Sequence, residues 1–205
     1  MSLEVIALSK LIREFNERDV QAILNTFESR DFSGKEEAHE VEDFLKNKAI
    51  YYDKNDMSKT HLLFSDYKEE KVLVGYYAIT INSLHFSKKQ LSKLSSKLRG
   101  SLNSKATKRD KDTGNLEISC YLIGQIGKNF NEDALKTKSL TGIKILELAY
   151  QTILEAKDLT GGSYVYLEYE DTDKLRSIYK RFGFQELPEY RTQNGLCLAV
   201  MRIKN

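Results

Sequence analysis

The chain has 205 residues, 40% of them hydrophobic, which is enough to bury a core in one domain of ordinary size. Its formal net charge of +2 hides an uneven distribution: basic residues crowd positions 88–111, and acidic ones crowd 36–42 and 168–173. The two cysteines, Cys120 and Cys197, sit in apolar stretches and exclude a disulfide framework. No apolar run approaches the roughly 20 residues that span a bilayer, and no signal-peptide pattern opens the chain. A soluble, cytoplasmic protein without a membrane partner is the expectation.

In chain order, residues 3–8 suit either an edge strand or, through Leu8, Leu11, Ile12 and Phe15, a helical stripe. Asp19 reads as a cap for a helix carrying Val20, Ile23, Leu24 and Phe27, followed by a loop around Ser33-Gly34. Phe44, Leu45, Ala49 and Tyr52 mark a second helix. The period then changes: 60–65 and 71–81 read as strands joined by a hairpin turn, the second apolar on both faces and therefore central. Leu91, Leu94 and Leu98 give a weak helical stripe, and 100–114 is polar and aperiodic, so 88–114 reads as an inserted basic helix and mobile loop. The rest alternates: a strand over 117–126, a helix from Thr141 to the Gly161-Gly162 pair, a strand at 164–167, a helix through Leu175, Ile178, Tyr179 and Phe182 closed by Gly183, and a strand at 196–203. Pro188 falls in the connection before that last strand. This order predicts a single α/β domain over residues 1–205, with a sheet covered by helices on both faces.

A helix that starts at a glycine after a buried strand is an anion site, because its unpaired amides and its dipole face the incoming charge. The amides of Thr141, Gly142, Ile143 and Lys144 are placed to cradle a pyrophosphate, although the same residues also read as a plain helix start with Thr141 as cap. Tyr179 lies on an apolar helix face, where a core role competes with a chemical one. Glu168 and Glu170 pair as candidate acid and base, or are simply solvated at a strand end. His39, His61 and His85 lack ligand spacing, so no metal is expected.

Taken together, the strand Ser119-Cys120-Tyr121-Leu122-Ile123-Gly124-Gln125-Ile126, the glycine-started helix, the acidic strand end and Tyr179-Lys180-Arg181-Phe182-Gly183-Phe184 resemble the GNAT acetyltransferases. Phe27, Val41-Glu42-Asp43-Phe44-Leu45 with Ala49, and Val74-Gly75-Tyr76-Tyr77-Ala78-Ile79 resemble the branch that includes toxins acetylating aminoacyl-tRNA. The resemblance implies a GNAT fold, a mixed central sheet splayed at the fourth strand, and acetyl-CoA as co-substrate. It further implies that the pantetheine arm pairs with the backbone of Ile123, Gly124, Gln125 and Ile126. The amide near Gln125 or Ile126 would polarise the thioester, Glu168 or Glu170 would take the amine's proton, and Tyr179 would protonate the leaving thiolate. The chain departs from the family's phosphate loop, Gln/Arg-x-x-Gly-x-Gly/Ala, in offering Ser139-Leu140-Thr141-Gly142-Ile143-Lys144, where Lys144 would crowd the loop or contact phosphate. An extra segment, 128–138, precedes it.

The acceptor is a small-molecule or peptide amine on one reading and an aminoacyl-tRNA on another, the basic run at 88–111 suiting a phosphate backbone. A non-catalytic acyl-CoA-binding module is the third reading. The apolar stretch 196–200 could pair within the domain or with a second copy, which leaves a homodimer open.

Overall fold

The computed structural model describes residues 3–30, 40–192 and 194–204. The Ser33-Gly34 loop and His39 lie outside them. In chain order come β1 (Leu3–Ala7), α1 (Leu8–Glu14), α2 (Glu17–Asn25), α3 (Glu40–Asp43), a π-helical turn (Phe44–Lys48) and α4 (Ala49–Lys54). Next are β2 (Lys59–Tyr67), β3 (Glu70–Phe86), α5 (Lys88–Ser92), α6 (Ser96–Asn103), β4 (Lys108–Arg109) and β5 (Leu116–Lys128). Then follow α7 (Glu132–Thr137), α8 (Gly142–Thr160), β6 (Tyr164–Tyr169), α9 (Asp173–Phe182), β7 (Gln185–Arg191) and β8 (Cys197–Arg202). The chain forms two compact units, Met1–Thr80 with Gly124–Thr152 and Ile81–Ile123 with Ile153–Asn205. Among the described residues no helix is long and apolar enough to cross a membrane.

In the first unit the strand order is β1-β2-β3-β5. Both readings of the N-terminus hold in succession, since the edge strand β1 runs directly into α1, whose Leu8 and Leu11 are buried. The cap of α2 is Asn16, not Asp19: the Asn16 side chain accepts from the Asp19 amide at 2.9 Å. β2 and β3 turn through Lys68 and Glu69, both at positive φ, as a two-residue hairpin whose twist matches its strands requires. Leu24, Phe27, Phe44, Leu45, Leu62 and Tyr76 belong to the core of this unit, with the Phe27 ring edge-on to Tyr76 at 5.2 Å.

Asn129, fully buried just past β5, satisfies four backbone groups. Its Oδ1 accepts from the amides of Glu28 (2.9 Å) and Asn131 (3.0 Å), and its Nδ2 donates to the carbonyls of Leu73 (2.7 Å) and Thr26 (3.3 Å). The extra segment 128–138 is thus an anchor for the chain leaving α2, and it ends in the short helix α7.

In the second unit the order is β3-β5-β6-β8-β7. β5 pairs parallel with β6 only from Tyr121↔Val165 to Ile123↔Leu167, although β5 continues to Lys128. That early end of pairing is the splay expected at the fourth strand. β6, β8 and β7 are antiparallel neighbours, so 196–200 pairs inside the chain, with β6 on one side and β7 on the other. β7 was not expected, because Pro188 lies within it. Proline is tolerated there since β7 is an edge strand whose register with β8 shifts between Glu186 and Arg191. The 100–114 stretch is likewise more ordered than its sequence suggests. α6 reaches Asn103, β4 pairs with β5, and the Asp110 carboxylate accepts from the amides of Asp112 (2.9 Å) and Thr113 (3.2 Å). Side chain–backbone turns of this kind leave no hydrophobic period. Leu84, Phe86, Leu102, Ile118, Tyr166 and Leu198 belong to this unit's core.

Candidate active site

Two glycines that the sequence pattern did not single out allow close packing in the first unit, Gly75 at the start of α8 and Gly127 beneath Tyr76, Val41 and Phe27. A Cβ on Gly75 would lie 2.6 Å from Leu140 Cδ2 and 2.8 Å from the Gly127 carbonyl, so only glycine lets Leu140 seat the helix on β3. A Cβ on Gly127 would lie 2.5 Å from Tyr76, 2.7 Å from Val41 and 2.8 Å from Phe27. Gly142 is different: it is exposed, with nothing within 4 Å of where a Cβ would stand.

Thr141 is the cap, its Oγ1 accepting from the Lys144 amide at 3.2 Å and its carbonyl from the Ile145 amide at 3.1 Å. The helix itself offers no acceptor to the amides of Gly142 and Ile143. Both residues are exposed, so the two amides and the helix dipole meet an open approach. Lys144, expected to crowd the loop or reach a phosphate, instead donates to Glu147 Oε2 at 3.2 Å.

Along β5, Gly124 is exposed, Gln125 and Ile126 are half-buried, and Ile123 is buried. The Gln125 side chain donates to Glu40 Oε1 at 3.4 Å. Beside this contact the Tyr76 hydroxyl donates to the Val41 carbonyl, and burial, with a smaller contribution from the Glu40 charge, pushes its phenol well up. Glu42 closes the other side, accepting from the Ser29 amide at 2.7 Å and from Lys46 at 2.6 Å.

In the second unit Tyr179 packs between Tyr169 (ring centroids 5.0 Å apart) and Phe184 (6.1 Å). Burial pushes its phenol up to about 12. It lines a cleft of about 440 Å³ with Tyr169, Arg176, Lys180, Phe184 and Glu186. Arg176 donates from Nε to Glu186 Oε2 at 2.8 Å and also binds Asp171. Arg191 reaches Asp171 at 3.1 Å, and the Tyr169 hydroxyl donates to Glu186 at 3.0 Å. These ion pairs hold the Asp171 and Glu186 carboxyls low against the opposing cost of burial, the largest single influence on each.

Sequence reasoning missed this charge lattice, because its partners are joined through the unexpected strand β7. Glu168 and Glu170 do not join it. Glu168 is exposed and alternates with Tyr169 along β6, so it lies on the face opposite the one where Tyr169 meets Tyr179. Glu170 is exposed just beyond the strand.

Burial pushes the Cys120 thiol up to about 12 and raises that of Cys197, which leaves both protonated and poor nucleophiles at neutral pH. Among the described residues no group of three or more His, Cys, Asp or Glu is placed to hold a metal ion. His61 stacks on Tyr77 at 5.0 Å, and His85 lies 4.0 Å from Glu117.

No family model matches the sequence, and no curated protein matches it significantly. Solved structures do match. A tyrosine-to-phenylalanine mutant of KacT superposes with TM-score 0.61 at 13% identity, over 98% of this chain and 95% of that one. AtaT complexed with acetyl-methionyl-tRNAfMet gives 0.60 at 14%, over 97% and 94%. The fold is the GNAT fold. A third GNAT neighbour, an AtaT mutant toxin bound to the C-terminus of the antitoxin AtaR and acetyl-CoA, gives 0.57 at 13%, over 98% and 94%. At such identities the likeness shows the fold alone.

Proposed function

We propose that the protein is an acetyl-CoA-dependent N-acetyltransferase acting on a primary amine. The observation that carries this reading is the open, capped start of α8, where Gly142 has no neighbour within 4 Å of its missing side chain. The residues present fit a pyrophosphate: the amides of Gly142 and Ile143 point outward, Thr141 fixes the helix start, and Lys144 and Lys138 add positive charge nearby in sequence. Acetyl-CoA supplies the activated acetyl group. From Ile123, the last residue of β5 paired with β6, the strand runs on through Gly124, Gln125 and Ile126 beyond that pairing and offers backbone groups for the pantetheine amides, and an amide near Gln125 or Ile126 polarises the thioester carbonyl. Tyr179 is the proton donor to the departing thiolate. Its raised phenol is fully protonated at neutral pH, and a thiolate brought into the same dry surroundings also holds a proton more tightly.

Two observations favour an aminoacyl-tRNA as the bearer of that amine over a free small molecule or peptide. One is the AtaT complex with an acetylated methionyl-tRNA. The other is the basic run along α5, α6, β4 and the residues that join them, where Lys88, Lys89, Lys93, Lys97, Lys105, Lys108, Arg109 and Lys111 are exposed and Arg99 is partly so. Thiol release from acetyl-CoA, measured over a panel of small amines, peptides and aminoacyl-tRNAs, tests both parts. Release with aminoacyl-tRNA alone, together with tRNA retention that weakens steeply with salt, supports the tRNA reading. Release with small amines assigns the alternative, and tight acetyl-CoA binding without release under any acceptor leaves a non-catalytic binding module.

A further inference from the structure

We propose that Glu40 accepts the proton of the incoming amine, in place of Glu168 or Glu170; this rests on the acetyltransferase reading above. Glu40 Oε1 accepts from Gln125 Nε2 at 3.4 Å. The contact brings an exposed carboxylate to the β5 residue whose backbone faces the thioester in that reading. Its partner there is a neutral amide. The neighbouring acids are engaged by cations instead, Glu42 by Lys46 at 2.6 Å and Asp43 by Lys48 at 2.5 Å; against the raising effect of burial, hydrogen bonds from Lys46 and Ser29 hold Glu42 below its usual value, and those from Lys48 and Asn47 hold Asp43 below its own. Each carboxylate has about four acceptor positions, so the single weak bond that Glu40 makes among the described residues, to Gln125, leaves it able to receive an ammonium.

The surroundings keep Glu40 in place without neutralising it. Tyr76 on β3 is buried and donates to the Val41 carbonyl one residue along, which fixes the start of α3. Lys48 on the π-helical turn senses the Glu40 charge but is bound to Asp43. Gln125 is the facing group from β5. By contrast, Glu168 lies on the face of β6 away from the Tyr169–Tyr179 contact.

The ammonium gives its proton to the Glu40 carboxylate, and the freed lone pair forms the C–N bond to the acetyl carbon. The C–S bond breaks with its electron pair on sulfur, and the thiolate takes a proton from Tyr179. The bonded nitrogen, which still carries two protons and a positive charge, loses one of them to solvent, and solvent also removes the proton from Glu40 and restores one to Tyr179.

The test compares Glu40→Gln, Glu40→Asp, Glu168→Gln and Glu170→Gln, using whichever acceptor of the panel the unmodified protein turns over fastest, between pH 6.5 and 9. Acetyl-CoA affinity is measured in parallel by calorimetry. Glu40→Gln keeps a side chain able to bond Gln125, and the position is exposed, so folding is preserved. At pH 6.5 it should lose about 100-fold in kcat/KM, as loss of a general base does. The loss should shrink below about tenfold by pH 9, where an α-amine with its ordinary pKa near 8 is already neutral. Glu40→Asp should retain part of the activity, the other two variants nearly all of it, and acetyl-CoA affinity should stay unchanged throughout. Full activity of Glu40→Gln at pH 6.5, a deficit that is the same at both pH values, or a collapse in Glu168→Gln or Glu170→Gln instead, overturns the assignment. Absence of turnover in the unmodified protein with every acceptor defeats the underlying acetyltransferase reading, and the Glu40 assignment with it.

Discussion

The first unit seats the start of α8 by leaving side chains out, whereas the second fixes Tyr179 by crowding rings and charges around it. Gly75 removes the atom that would keep Leu140 from closing on β3 at the helix start, Gly127 does the same for Tyr76 and Phe27 on β5, and Gly142 leaves the approach to the amides open. At Tyr179, Tyr169 and Phe184 enclose the ring while Arg176 ties α9 to Glu186 on β7. The contrast follows from what each place has to offer. Backbone dipoles aimed at an anion need bare space, whereas a phenol that must stay protonated needs a dry, filled environment.

The largest effect should come from removing that phenol. Tyr179→Phe keeps the ring and its contacts, so stability and acetyl-CoA affinity should barely change while kcat falls by about 100-fold, as expected for a lost general acid. The raised phenol also shapes the alkaline side of the profile. With the phenol up at about 12, kcat should show no loss attributable to tyrosine ionisation between pH 7 and 10. A tyrosine-like decline near pH 10 that vanishes in Tyr179→Phe would show that burial does not govern this group.

Glycine substitutions sharpen the other half of the contrast. Gly127→Val pushes a branched side chain into Tyr76, Val41 and Phe27 and should cost about 1–3 kcal/mol by overpacking, read as a lower urea midpoint at unchanged slope. Gly142→Ala meets nothing, so its urea midpoint should stay level or rise slightly. If acetyl-CoA affinity falls in Gly142→Ala while stability holds, the space above Gly142 belongs to the ligand. Unchanged affinity would leave Gly142 a mere helix start.

Those glycines also show where the sequence was legible. The spacing of Ile143, Leu146, Tyr150 and Ile153 pointed to α8, although the residues it buries are Ile145, Leu146, Ala149 and Ile153, and Gly183 at φ 119° closes α9 as its position suggested. Periodicity finds a helix more readily than its exact buried face: Leu146 and Ile153 are buried, Ile143 is exposed, and the stripe of α9 is only half-buried. It is silent about Gly75 and Gly127, whose importance lies in backbone approach across strands distant in sequence. It is also silent about β7, where Pro188 argues against a strand unless the edge and the register shift are already known. The candidate site divides the same way. Gly142 and Tyr179 stood out through local spacing, whereas Glu40 beside Gln125 joins positions 85 residues apart and has no local signal.

The smallest effect concerns the charges behind Tyr179. Ion pairing holds the Glu186 carboxyl below its ordinary value in the folded chain, so its stabilisation is complete above the unfolded pKa of about 4.3 and is lost as pH falls through the lowered folded value. The unmodified protein should therefore lose more of its urea midpoint between pH 7 and pH 3 than Glu186→Gln does, by a few tenths of a molar, the scale of a partly exposed ion pair. The helix start offers the matching control. Thr141→Val removes the cap acceptor for the Lys144 amide but no titrating group, so it should lower the midpoint by a similar amount at every pH. A pH-independent loss in Glu186→Gln would mean that Tyr179 is held by packing alone, and the two units would then differ in what they bury and not in how they use charge.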